Sequence, residues 1–341
     1  MKKFALLLCC TKNEQDMPKK GLFATWITGL KEFFRSLRKE KFFNGALKTI
    51  QVNEKLEISL ITLPYTLAEL WKIRSRRRIR QINEFLYDAH REQGFACCIV
   101  PKCIAEIHSF ENCICSPFTG EYIYRCLLGS ILEDIFTKRG INIWDLDIVL
   151  VQGERRESLY AVIELLSPVV RFLTVVSDER DQIEEEAGES FLDSGLSVII
   201  TSDWRSALKN ADVIINLKEE KEIASIIKTK KGSVLINISG LKASAIHCES
   251  ALIQGLHVGI PQSLCDELDS NVWNFLEPCE LAEAIITIGL GLEEQVIQQE
   301  FPQFELMKKV SKEFKKGGYR LTGFAGRHNT LYASDIAIRE M

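Results

Sequence analysis

Gly153, Arg155, Arg156, Ser158, Ser177 and Asp178 are the residues whose types and spacing suit chemistry on a phosphate and a sugar. They lie in one stretch, Asp147 to Asp178, that reads DIVLVQGERRESLYAVIELLSPVVRFLTVVSD. An apolar run from Ile148 to Val151 ends at Gly153, a helical pattern follows, and a second apolar run from Phe172 to Val176 ends in Ser177 and Asp178. A glycine at a strand-to-helix turn lets backbone N–H groups and the positive end of the helix face a phosphate. A carboxylate at the end of the next strand accepts hydrogen bonds from a ribose. Asp178 stands 25 positions after Gly153, about where such a carboxylate belongs.

The glycine pattern is incomplete. G-x-G-x-x-G needs glycines at 153, 155 and 158, and the chain has Gly153, Arg155 and Ser158. The second glycine lets a pyrophosphate rest on the backbone, and the third lets helix and strand pack closely. Arg155 puts a side chain in the phosphate's place, with Glu154 and Arg156 beside it; Ser158 is the milder change. Three readings stay open. A dinucleotide binds with an arginine paired to a phosphate; or the helix start with Arg155 and Arg156 holds a smaller anionic metabolite; or the turn is solvated and the domain is a non-enzymatic scaffold or regulatory protein. Asp178 is either a ribose ligand or, with Ser177, a cap for the acidic segment that follows.

The elements that must position these residues alternate in type. KFALLLCC (3–10) reads as a buried strand, ALKTIQVNE and KLEISLITLP as two strands around Asn53-Glu54, and ACCIVPK (96–102) as another. Residues 21–39 and 66–92 carry apolar residues at helical spacing. A helix is expected over 121–138, closed by Arg139-Gly140. After Asp178, strands are expected at 196–203, 211–217, 233–239 and 256–261, separated by helical segments or a solvated acidic run, with further helices at 276–299 and 303–315. Strands joined by crossovers of about a dozen residues imply an α/β fold with a doubly wound parallel sheet. The expected organisation is an N-terminal α/β domain over 1–115, a Rossmann-like domain over 116–275, and C-terminal helices over 276–341 that pack back toward the first domain.

Over residues 116–240 the chain resembles the Rossmann domain of shikimate dehydrogenases, methylene-tetrahydrofolate dehydrogenases and long-chain acyl-carrier-protein reductases. The likeness rests on Ser116-Pro-Phe-Thr-Gly120, the helix 121–138, Arg139-Gly-Ile141, IVLVQG, DWRSALKNADVIIN and KGSVLINIS. It implies NAD(P) as cofactor and an oxidoreductase. In the first half, Gly94-Phe-Ala-Cys-Cys-Ile-Val-Pro-Lys102 resembles the segment of shikimate dehydrogenases that supplies a catalytic lysine, which points to Lys102.

The remaining signals set limits. A formal net charge of −4 gives no global pull toward nucleic acid or an anionic membrane. KIRSRRRIR, within 72–80, reads as a solvated helix face, with an acidic-partner or anion patch as the alternative. Eleven cysteines without a CxxC pair, and no histidine at finger spacing, read as buried thiols rather than a metal site or disulfides. FALLLCC runs straight into TKNEQD, too short for a signal peptide, so a cytoplasmic location is expected. A small-molecule or anionic ligand and a homo-oligomer are the partners expected. His247-Cys248 and the polar turn Gly323–Thr330 are weaker site candidates, the latter reading mainly as a loop.

Overall fold

The computed structural model of the chain describes residues 2–9, 47–63, 65–73, 76–105, 115–190, 196–218, 229, 232–239, 250–268, 270–327, 329–334 and 336. The helix expected at 21–39, His247-Cys248, and most of the helical segment expected between the strands 211–217 and 233–239 lie outside them. The chain divides into two compact units, one of residues 1–119 with 260–298, the other of residues 120–259 with 299–341. The segment expected as one C-terminal group therefore splits between the units.

The first unit is built on five strands: β1 (Lys2–Cys9), β2 (Leu47–Asn53), β3 (Leu56–Leu63), β4 (Cys98–Val100) and β5 (Cys115–Pro117), in the order β2-β3-β1-β4-β5. β1 is central because its apolar run is closed to water on both faces, with Phe4, Ala5, Leu6 and Leu7 fully buried. It pairs in parallel with β3 and β4, and β4 pairs in parallel with β5; only β2 runs antiparallel. The β2–β3 turn is set by Asn53, whose Oδ1 accepts the Lys55 N–H at 2.9 Å.

The long helix expected at 66–92 is two helices, Leu67–Lys72 and Arg76–Gln93. The break is at Ile73, which takes an extended backbone (φ −73°, ψ 99°) and buries its side chain. The first helix opens on a capping box, with Thr66 accepting from the Glu69 N–H while Glu69 accepts from the Thr66 N–H at 2.9 Å. Thr66→Ala removes half of that box, and urea unfolding is expected to register a loss of about 1 kcal/mol.

The second unit is built on a six-stranded sheet of β6 (Ile148–Val151), β7 (Phe172–Val176), β8 (Ser197–Thr201), β9 (Val213–Asn216), β10 (Val234–Asn237) and β11 (Ala251–Ile253), in the order β11-β10-β9-β6-β7-β8. All are parallel. The chain runs outward from β6 to β8, returns to the other side of β6 at β9, and runs outward again to β11, the doubly wound Rossmann order. IVLV of β6 is buried throughout, as a central parallel strand requires.

The strand expected at 256–261 does not join this sheet. It is β12 (Leu256–Gly259), antiparallel to β13 (Arg320–Ala325), which in turn pairs with β14 (Thr330–Leu331). The physical reason is length: the chain between Ile253 and Leu256 is far too short for a parallel crossover, which takes about a dozen residues. The sixth parallel strand is instead β11, and the polar turn expected at Gly323–Thr330 includes the end of β13 and the start of β14, which pair as a hairpin. Within the first unit, the helix expected at 276–299 breaks into Pro278–Leu290 and Glu293–Ile297 at Gly291, whose φ of 76° favours glycine. No helix among the described residues is long and apolar enough to cross a membrane.

Candidate site at the carboxyl edge of the six-stranded sheet

The loop Gln152–Arg155 carries the chain from β6 into the helix Arg156–Leu166. Gly153 is required there by a close approach. A Cβ on it would lie 2.3 Å from the Leu217 carbonyl oxygen, on the chain leaving β9. β6 and β9 are neighbours at the switch point of the sheet, where ligands of open α/β folds bind. Arg155 is the N-cap, with extended backbone (φ −100°, ψ 116°) and no side-chain cap for the first-turn amides. Its side chain is exposed, while Ser158, one turn in, is buried.

Arg156 turns to the neighbouring strand end. Its guanidinium pairs with Glu179 at 2.9 Å, donates from Nε to the same carboxylate at 3.0 Å, and also bonds Gln182. Gln152 donates to that carboxylate from Nε2 at 3.4 Å, and its buried Oε1 has no hydrogen-bond partner among the described residues. An orphaned buried acceptor costs free energy unless a donor reaches it. Ser177 is buried, and its Oγ accepts the Glu179 N–H at 2.8 Å. So Ser177 takes the local capping work, and Asp178 is left to other partners.

Those partners come from two other strand ends. Lys218, two residues past β9, donates to Asp178 Oδ2 at 3.0 Å. The Trp204 indole N–H, at the start of the helix after β8, donates to Oδ1 at 3.2 Å. The Lys218 ammonium also sits 4.9 Å from the centroid of the Trp204 ring. The hydrogen bond from Lys218 holds the Asp178 carboxyl below the usual carboxylate range, so it is ionised at neutral pH. Beyond β9, Asn216 Nδ2 donates to Asn237 Oδ1 at 2.8 Å and Ser239 Oγ donates to the same oxygen at 2.9 Å, a buried amide network tying the ends of β9 and β10.

The structure thus brings Arg156 and Ser177 together around Glu179, and sets Asp178 against Lys218 and Trp204. Sequence reasoning missed Gln152, Glu179, Trp204 and Lys218. A signal existed for Lys218, since it directly follows a strand that must end at the ligand-binding edge.

Lys102 belongs to the first unit. It is exposed, at the start of the short helix Lys102–Ala105 that follows β4. Its backbone N–H donates to Glu280 Oε1 at 3.2 Å, while Glu280 Oε2 accepts from the Glu277 N–H at 2.9 Å. Three positions on, Glu283 accepts the Thr119 N–H at 3.1 Å. Both glutamates are 1% exposed. Burial pushes the Glu280 carboxyl up to about 7, against the two backbone N–H groups and the Lys102 charge, which favour its ionised form. Among the described residues no group of three His, Cys, Asp or Glu side chains is placed to hold a metal ion.

No family profile matches the chain, and no curated protein matches it. Solved structures give distant likenesses to Rossmann-type dehydrogenases and to transcarbamoylases. L-Tryptophan dehydrogenase from Nostoc punctiforme aligns at 10% identity and a TM-score of 0.30, over 98% of this chain and 86% of its own. Shikimate 5-dehydrogenase from Listeria monocytogenes, in complex with shikimate and NAD, aligns at 9% identity and a TM-score of 0.29, over 91% of this chain and 96% of its own. Ornithine carbamoyltransferase from Pyrococcus furiosus aligns at 14% identity and a TM-score of 0.26, over 69% and 71%. At such scores the fold rests on the strand order, and function must be argued from the residues.

Proposed function

We propose that the second unit binds a nicotinamide dinucleotide at the carboxyl ends of β7, β6 and β9, and that the chain is a relative of NAD(P)-dependent oxidoreductases with an altered phosphate loop. The observation that carries this reading is the ionised Asp178 at the end of β7, beside the Gly153 turn at the end of β6, in the doubly wound strand order. The residues suit the group. Asp178 would take the ribose hydroxyls, the uncapped amides of the first helical turn and the exposed Arg155 would meet phosphate oxygens, and the orphaned Gln152 Oε1 would accept from a ligand donor. When bound, the nicotinamide supplies or accepts a hydride. Lys102, in the first unit, is proposed as a catalytic lysine on the resemblance of its segment to that of shikimate dehydrogenases, with its turn fixed by Glu280.

A thermal-shift comparison with NAD, NADH, NADP and NADPH tests the reading. A ligand at a hundred times its Kd stabilises the folded state by about 2.7 kcal/mol, a visible rise in Tm. At least one dinucleotide is expected to raise Tm in the native chain, and to raise it less in Asp178→Ala. No shift from any of the four at millimolar concentration removes the proposal. The pinning of Arg156 by Glu179 and Gln182 favours a second reading, a non-enzymatic scaffold that binds a partner or a small anion. A shift with inorganic phosphate alone would select it.

A further inference from the structure

We infer that Lys218 is a latch on this site: its ammonium reaches from the end of β9 to Asp178 at the end of β7, and a ligand's ribose must displace it. The inference rests on the dinucleotide reading. In the order β9-β6-β7, the two partners stand on either side of β6. Their 3.0 Å ion pair therefore spans the strand end from which the Gly153 loop departs. A dinucleotide in a doubly wound sheet lies across that same end.

The latch is set rather than loose. The Lys218 side chain is 15% exposed, against 65% for Asp178. Its position over the Trp204 face is favoured by the ring quadrupole, and the Trp204 indole N–H fixes the other carboxylate oxygen. Each Asp178 oxygen thus already receives a donor. A ribose diol donates to acceptor positions on the same carboxylate, and Lys218 holds one of them. Trp204 is left as a flat apolar wall once the ammonium moves away, suited to stacking a planar ring. The ligand class this predicts is one with a ribose next to an aromatic base. Its affinity is reduced by the free energy of parting Lys218 from Asp178 and Trp204.

Lys218→Met tests this, because it keeps the stem on Trp204 and removes the charge; Lys218→Gln serves as the second variant. NADH and ADP-ribose are titrated into the full chain and both variants by calorimetry. Both ligands are expected to bind the variants about tenfold more tightly than the native chain, equivalent to about 1.4 kcal/mol. Saturable binding that is equal or weaker in both variants overturns the latch and leaves the dinucleotide site standing. Failure of all three proteins to bind either ligand overturns both, since the variants lack the latch.

Discussion

Gly153→Ala is expected to destabilise the second unit by about 3 kcal/mol, measured as a drop in the urea midpoint. The added Cβ would sit 2.3 Å from the Leu217 carbonyl oxygen and 2.9 Å from its carbon. Both are backbone atoms, held in place because the Leu217 N–H donates to the Val151 carbonyl at 3.0 Å. Neither can rotate away as a flexible side chain would, so β6 and β9 must separate at the centre of the sheet. Gly129→Ala is the control. A Cβ there meets only the tip of Leu165 at 3.8 Å, and alanine in a helix is favoured over glycine by about 0.5–1 kcal/mol. That variant is therefore expected to hold or gain stability. If Gly153→Ala unfolds at the native midpoint, the packing of the loop under β9 is wrong.

The second large effect is on pH dependence. Glu280 is pushed up to about 7 in the folded chain, first by burial, from an ordinary value near 4.5. The folded state then binds the proton more strongly than the unfolded one. Stability from this group is fully present below about pH 4.5 and is lost as pH rises through about 7. A shift of that size corresponds to about 3 kcal/mol, at about 1.4 kcal/mol per unit. Glu280→Gln removes the titration and keeps one acceptor for a backbone N–H. Unfolding free energy followed from pH 4.5 to 8 is expected to fall less in Glu280→Gln than in the native chain, by about 2–3 kcal/mol across the range. Parallel curves for the two proteins would show that Glu280 stays ionised, held by the Lys102 and Glu277 N–H groups.

Much of the second unit was legible in sequence because its signals are local. IVLVQG and FLTVVSD each carry an apolar run, a turn and a polar end, and the spacing between them admits a crossover helix. β11 was passed over because three residues make no periodic pattern, and β12 was assigned to the wrong sheet because an apolar run does not declare its partner. The candidate site was half legible. Gly153 and Asp178 follow from spacing, whereas Lys218 meets Asp178 across 40 positions and Glu280 meets Lys102 across 178. Glu280 and Glu283 lie in ELAEAIITIG, where acids are expected on the wet face of a helix, yet both are buried. Their burial is decided by the backbone N–H groups of Lys102 and Thr119 that they receive, and no local pattern encodes those.

The central claim is that Asp178 holds the ribose of a dinucleotide above the Gly153 turn. Calorimetric titration of NADH into the native chain and into Asp178→Ala tests it most directly. Saturable one-site binding is expected in the native chain, with a loss of at least about tenfold in the variant, equivalent to about 1.4 kcal/mol. Equal affinity in the two proteins, or no heat of binding in the native chain at millimolar NADH, would contradict it.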